Sequence, residues 1–320
     1  MNTIPSTLED RKPTYTVLGG GRGGNCPDSF PVSVLLLNRG PRLYRAALLQ
    51  ELSDIGFDSI VSVEGDGESP ELEGLAARFP SVRFLSFKER VNLGDMMNTG
   101  MRESCAPYVF VLWNDMRLAT SALSGRFFDR VAELDRACLV PTLCDPSGSV
   151  LPSVMHPALA RSALRVVALP PRADGDKSLF PFDLCGIYSR EKFILLGGFD
   201  WTIGNPHWQR MDFGFRAWLW GEEIRYAQAL RLNYGSAPAP EDTTPDHDYG
   251  RFWLKNLAPV HRGDSAYIPT SRLFRWALSS RRGPLASLEE FRAARNWVAV
   301  NSFRFRQDAA RVADLWDPLS

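Results

Sequence analysis

Residues 106–117, APYVFVLWNDMR, decide the fold. The stretch is apolar almost throughout and rich in Val, Phe and Tyr, which is how a strand covered on both faces reads. It runs into a short polar turn that carries one carboxylate, Asp115. Open α/β sheets bind ligands beyond the carboxyl ends of their strands, so Asp115 stands where a ligand would be met.

Outward from this strand the order is regular. Val32–Leu37 reads as a first strand, followed by the turn Asn38-Arg39-Gly40-Pro41 and a helix through Leu52. Ser59–Val63 reads as a second strand ending in Glu64-Gly65-Asp66-Gly67. Pro70–Arg78 is a short helix, Val82–Phe87 a third strand and Gly94–Ser104 a helix with Met97 and Met101 one turn apart. After the 106–117 stretch come a helix over Phe127–Arg136 and a strand over Cys138–Leu143. Residues 145–180 carry Pro, Gly and Ser and read as an insertion or mobile lid. Phe182–Tyr188 is a strand, Arg190–Leu196 a helix, Asp212–Trp220 an aromatic helix closed by Gly221, and Glu223–Tyr226 a last strand. Strands alternating with helices over short links predict an α/β fold with a mostly parallel, doubly wound sheet. Residues 1–30 read as a leader, 31–234 as the main domain, and 235–320 as a connector with a helical extension.

Bulk properties narrow the function. The 320 residues suffice for a sizeable core, and 44% hydrophobic with 23% charged is a globular composition. Lys+Arg and Asp+Glu stand at 37 each, which argues against a general nucleic-acid binder. No apolar run reaches the roughly 20 residues that span a bilayer. The start MNTIPSTLEDRKP lacks a signal pattern, so a cytoplasmic location is expected. Cys26, Cys105, Cys138, Cys144 and Cys185 form no CxxC pair and fit buried thiols better than a disulfide or zinc framework. Gly19–Gly24 satisfies GxGxxG formally, but Asn25, Cys26 and Pro27 follow where a dinucleotide fold opens a helix.

Five pieces in order resemble family 2 glycosyltransferases of the GT-A fold. VSVLLLNRG is similar to the opening strand and "YNR"-type turn, and SIVSVEGDG to the second strand with its acidic end. VNLGDMMNTGM is similar to the "NxGxxxAxNxG" helix, and YVFVLWNDM to the strand ending in "NND" or "DxD". GGFD with RMDFGFRAWLWG is similar to "GGFDE…EDxDFxxRxxxxG". The resemblance implies inverting, metal-assisted transfer from a nucleotide-diphosphate sugar to an acceptor hydroxyl.

It also implies roles. Asn38, Glu64 or Asp66, Asn92, Gly94, Asn98, Asn114 and Asp115 would bind the nucleotide sugar. Asp115 would hold a divalent cation, Mn²⁺ or Mg²⁺, that neutralises the leaving diphosphate. His247, after the last sheet strand, is a candidate further metal ligand. Asp212 would be the general base, its anion favoured at a helix N-terminus. Gly197, Gly198, Asp200, Trp208 and Arg216, the last one helical turn beyond Asp212, would serve the acceptor. The acceptor itself stays open between a glycan, a lipid-linked sugar and a small molecule. The basic, amphipathic RLFRWALSSRR at 272–282 leaves room for peripheral membrane contact. The chain departs from the family at Trp113 or Asn114, depending on how the short motif is aligned, and at Met211, where acids are common. Those departures keep open a protein that binds a nucleotide sugar without turnover, and a sugar-phosphate nucleotidyltransferase is the other rival.

Overall fold

A computed structural model of the chain describes residues 11–20, 29–39, 45–65, 71–119, 123–160, 163–238, 240–279 and 283–316. The first half alternates as β1 (Tyr15–Gly19), β2 (Phe30–Leu37), α1 (Arg45–Ile55), β3 (Phe57–Glu64), α2 (Glu71–Arg78), β4 (Val82–Phe87), α3 (Leu93–Glu103) and β5 (Tyr108–Trp113). The second half runs β6 (Met116–Leu118), α4 (Gly125–Leu134), β7 (Cys138–Cys144), β8 (Val154–Ala160), β9 (Ala163–Leu169), β10 (Gly186–Ser189), α5 (Arg190–Leu195), α6 (Pro206–Leu219) and β11 (Ile224–Tyr234). The C-terminal part holds α7 (His247–Phe252), β12 (Val260–Arg262), β13 (Ser265–Tyr267), α8 (Ser271–Ser279), α9 (Pro284–Val300) and α10 (Ala309–Asp314).

Nine strands form one sheet in the order β1-β4-β3-β2-β5-β10-β7-β11-β6, in which β1, β10 and β6 run against their neighbours. The centre is sealed on both faces: Val34–Leu37 and Val109–Leu112 are all within 1% of full burial. This is why their sequences are unbroken apolar runs rather than alternating ones. Register then places the functional turns. Leu37 pairs with Trp113 and with Val63, so Asn38-Arg39, Asn114-Asp115 and Glu64 emerge side by side at the carboxyl edge.

Several elements differ from their sequence reading. Tyr15–Gly19, expected in a leader, pairs with β4 as an edge strand. Residues 145–180, expected as an insertion or lid, contain the antiparallel hairpin β8–β9. The strand expected over Phe182–Tyr188 starts only at Gly186, because Asp183 and Leu184 take left-handed backbone angles (φ 50° and 63°) that end any strand. The helix expected from Asp212 begins at Pro206 under an Asn205 cap, whose side chain accepts from the His207 and Trp208 N–H groups. Asp212 therefore lies well inside the helix, and the helix terminus does not stabilise its charge. On α8, Trp276 packs inward against Trp253, while Phe274 and Leu278 are about three-quarters exposed. Among the described residues no helix is long and apolar enough to cross a membrane.

Candidate active site at the carboxyl edge of the sheet

The ends of β2 and β3 build the first part. Glu64 is buried, and its Oε1 accepts from Ser62 Oγ (3.0 Å), from Asn38 Nδ2 (3.3 Å) and from the Arg45 guanidinium. Asn38 Nδ2 also donates to the Val63 carbonyl at 2.8 Å, which fixes the amide's direction. Glu64 Oε2 and Asn38 Oδ1 are buried with no hydrogen-bond partner among the described residues. A buried acceptor left unpaired costs about 1–3 kcal/mol, so a donor, from a water or a ligand, would be favoured at each of these two atoms. Asp66, the alternative to Glu64, lies outside the described residues.

The β5 turn comes next. Asn114 accepts the Arg39 N–H on its Oδ1 (3.0 Å) and donates its own N–H to the Leu37 carbonyl (2.9 Å). Arg39 grips Asp115 with two bonds, Nε to Oδ2 at 2.9 Å and Nη2 to Oδ1 at 3.2 Å. Its Nη1 donates to Asp183 at 3.0 Å, and its plane lies over the Trp113 ring, 4.3 Å from the centroid. Trp113 Nε1 donates to the Asp183 carbonyl (2.8 Å), and Tyr234 Oη donates to Asp183 Oδ2 (2.9 Å). Burial raises the Asp183 carboxyl above the ordinary carboxylate range, against the opposing pull of Arg39, Tyr234 and Arg210.

These residues do not fit a divalent cation. A hard cation needs several oxygen ligands, and the β5 turn offers one carboxylate, Asp115, whose two oxygens, like Asn114 Oδ1, accept from Arg39, a cation that would repel a second one there. His247, expected as a ligand, instead opens α7 with its Nε2 3.4 Å from Glu290 of α9. Among the described residues no group of three or more His, Cys, Asp and Glu side chains is arranged to hold a metal.

The second half of the site lies between α5 and α6. Gly197 and Gly198 (φ 85° and 64°) turn the chain out of α5 through backbone angles that a side chain would strain. The Gly198 carbonyl accepts from Arg216. Asp200 Oδ1 accepts from the Thr202 N–H (3.0 Å) and Oγ1 (2.7 Å), and Asp200 Oδ2 accepts from Lys255 Nζ (2.7 Å). Asp212 is completely buried, paired with Arg216 on Oδ2 and with Asn256 Nδ2 on Oδ1 at 2.7 Å. Lys255 Nζ stands 3.6 Å from the same Oδ1. Burial alone would raise the Asp200 carboxyl. The Lys255 ammonium and the Thr202 donors outweigh it and hold the group well below the ordinary range. Lys255 and Asn256 come from a π-helical turn, Trp253–Leu257, that continues α7. A cavity of about 330 Å³ opens beside this network, lined by Asp200, Trp201, Lys255, Glu290 and Trp297 among others.

The remaining expected residues hold these two halves together. Asn98 exchanges both of its amide bonds with the backbone of Phe199 (2.8 and 2.9 Å). Asn92 caps α3 and donates to the Trp201 carbonyl at 2.6 Å. A Cβ on Gly94 would stand 2.6 Å from Gln209 Nε2 and 3.1 Å from Phe199 Cβ, so a side chain here would crowd the contact of α3 with α6. Trp208 is buried, stacks on Phe252 and donates to the Thr244 carbonyl.

No protein-family model and no curated protein matches the sequence. Solved structures do. The crystal structure of GalNAc-T7 with UDP, GalNAc and Mn²⁺ superposes with a TM-score of 0.53 at 14% identity, over 84% of this chain and 55% of that one. The chain thus spans just over half the length of that structure. This chain has the GT-A fold. Two further structures of S. aureus TarS are similar. One gives a TM-score of 0.49 at 12% identity over 82% of this chain and 43% of that one. The other, TarS 1–349 in complex with UDP-GlcNAc, gives 0.47 at 12% over 83% and 72%.

Four residues of this candidate site are not among those the sequence singles out: Arg39, Asp183, Lys255 and Asn256. Arg39 lay in view inside the Asn-Arg-Gly turn. Asp183 and Lys255 had no local signal, since their partners lie 144 and 55 residues away.

Proposed function

We propose that the chain binds a nucleotide-diphosphate sugar at the carboxyl ends of β2, β3 and β5 and transfers its sugar, with inversion, to an acceptor hydroxyl. The observation that carries this is the pair of unpartnered buried acceptors, Glu64 Oε2 and Asn38 Oδ1, at the ligand-binding edge of a GT-A sheet. They suit N–H or O–H donors of a base or ribose. The Asn114–Asp115 turn beside them would face the diphosphate.

In the transfer, the acceptor oxygen forms a bond to the anomeric carbon as that carbon's bond to the diphosphate oxygen breaks. The acceptor proton passes to a carboxylate, and the nucleoside diphosphate leaves with the bonding pair. We assign the base to Asp212. It is closed off by Asn256 and Lys255, and Lys255 also forms part of the cavity wall. Displacement of the Lys255 ammonium by an acceptor would open Asp212 Oδ1 to that cavity. Asp200, which lines the cavity, would orient the acceptor. The cavity's Trp201 and Trp297 suit a sugar ring, so a glycan or glycolipid head is the acceptor class these walls favour.

The test is a thermal-shift panel of UDP-, GDP-, dTDP- and CMP-sugars. At least one is expected to stabilise the protein, and Glu64→Gln to reduce that shift; no shift with any of them rejects the reading. The full burial of Asp212 favours a second reading, in which the sugar nucleotide is bound but not turned over. Asp212→Asn separates the two. Loss of donor turnover with retained nucleotide binding supports the base, and unchanged turnover removes Asp212 from the chemistry.

A further inference from the structure

We propose that Arg39 takes the place of the divalent cation in this chain, so that a guanidinium meets the donor's diphosphate and nucleotide binding needs no metal. The inference rests on the nucleotide-sugar reading of the site. Its first support is position. Asp115, the carboxylate that the sequence resemblance assigns to the metal, has both oxygens bonded to Arg39, at 2.9 and 3.2 Å.

Its second support is that the arginine is built in. Trp113, with Asn114 one of the two positions where the resemblance would put an acid, forms the floor under the guanidinium at 4.3 Å. The same indole anchors the Asp183 carbonyl, and Asp183 in turn holds Nη1. Tyr234 flanks the guanidinium, 5.8 Å from its ring centroid, and donates to Asp183. The chain maintains left-handed backbone at two successive non-glycine residues, Asp183 and Leu184, to present that carboxylate. Such backbone persists only where its surroundings enforce it and gathers at functional sites. Trp113, Asp183 and Tyr234 thus seat the Arg39 guanidinium from three sides.

The third support is capacity. A guanidinium carries five N–H groups. The bonds to Asp115 use Nε and one hydrogen of Nη2, and those to Asp183 come from Nη1. The second Nη2 hydrogen is left over, on a side chain that is 28% exposed. Arginine's planar fork is the side chain best matched to phosphate oxygens. With Asp115 as its fixed anchor, Arg39 can also exchange Asp183 for a phosphate oxygen at Nη1.

Calorimetric titration of the full chain with UDP, GDP, dTDP and CDP, in EDTA and in Mn²⁺, tests this. One of them is expected to bind with affinities that agree within about threefold between the two buffers. Arg39→Ala is expected to weaken that binding by more than about tenfold, and Arg39→Lys, which keeps the charge but not the fork, by less. The lysine variant also serves if the alanine protein does not fold. Binding that tightens more than about tenfold with Mn²⁺, in the manner of a metal-bridged diphosphate, overturns the inference and leaves the nucleotide-sugar reading intact. Unchanged affinity in the arginine variants overturns it too. No binding of any nucleotide in either buffer overturns the nucleotide-sugar reading itself, and this inference with it.

Discussion

The two halves of the site are built in opposite ways. At the edge formed by β2, β3 and β5, the Arg39–Asp115 pair is part-exposed, each residue 28% exposed, and the buried Glu64 keeps Oε2 without a partner among the described residues. Between α5 and α6, Asp200, Asp212, Arg216 and Lys255 are all at least nine-tenths buried, and each carboxylate oxygen is bonded. Two carboxylates and two cations cancel there. On the proposed reading, a ligand completes the first half. The second is complete without one and must be opened before it can act.

That contrast can be broken first by stability. Asp212→Ala leaves Arg216 and Lys255 buried without their shared partner, and about 3–5 kcal/mol of stability should be lost in urea denaturation. Asp115→Ala removes one end of a part-exposed pair and should cost about 1 kcal/mol or less. Equal losses from the two would dissolve the distinction between a structural network and a binding edge.

Affinity should divide the other way. Glu64→Gln should weaken nucleotide binding about tenfold, because an amide N–H₂ or carbonyl replaces an acceptor that is free on one side. Asp212→Asn should leave nucleotide binding unchanged. The pH dependence sharpens the contrast further. Asp200 is held below the ordinary range in the fold, so the folded state binds fewer protons than the unfolded one. Its contribution is fully present above the ordinary carboxyl value of about 3.9 and is lost as the pH falls below it. Urea midpoints measured downward from there should decline in the parent and decline less in Asp200→Asn. The smallest effect is expected at Asp183. Its carboxylate competes with phosphate for Arg39 Nη1, so Asp183→Asn should tighten nucleotide-diphosphate binding about threefold by titration.

The sequence shows the binding edge far better than the closed network. The apolar runs of β2, β3, β4 and β5 and the turns that follow them are local patterns, and Val82–Phe87 is both the expected and the observed strand. Asn38, Glu64 and Asp115 sit at strand ends, so once the strands are read their neighbourhood follows from parallel register. Lys255 and Asn256 had no such route. They are delivered by a π-helical turn whose sequence, WLKNL, reads as ordinary helix. Asp183 was absorbed into an expected strand, because left-handed angles at an aspartate and a leucine leave no mark in composition. Arg39 stood in a turn already singled out. Its role depends on Trp113, read as a departure from the family pattern and not as the floor for a cation.

A crystal structure with the nucleoside diphosphate that binds best would settle where the donor lies. The base or ribose should bond to Glu64 Oε2 and Asn38 Oδ1, and the diphosphate should lie at the Asn114–Asp115 turn with an oxygen on the Arg39 guanidinium. A diphosphate bound away from that turn, or held there by a cation with Arg39 swung aside, would contradict it.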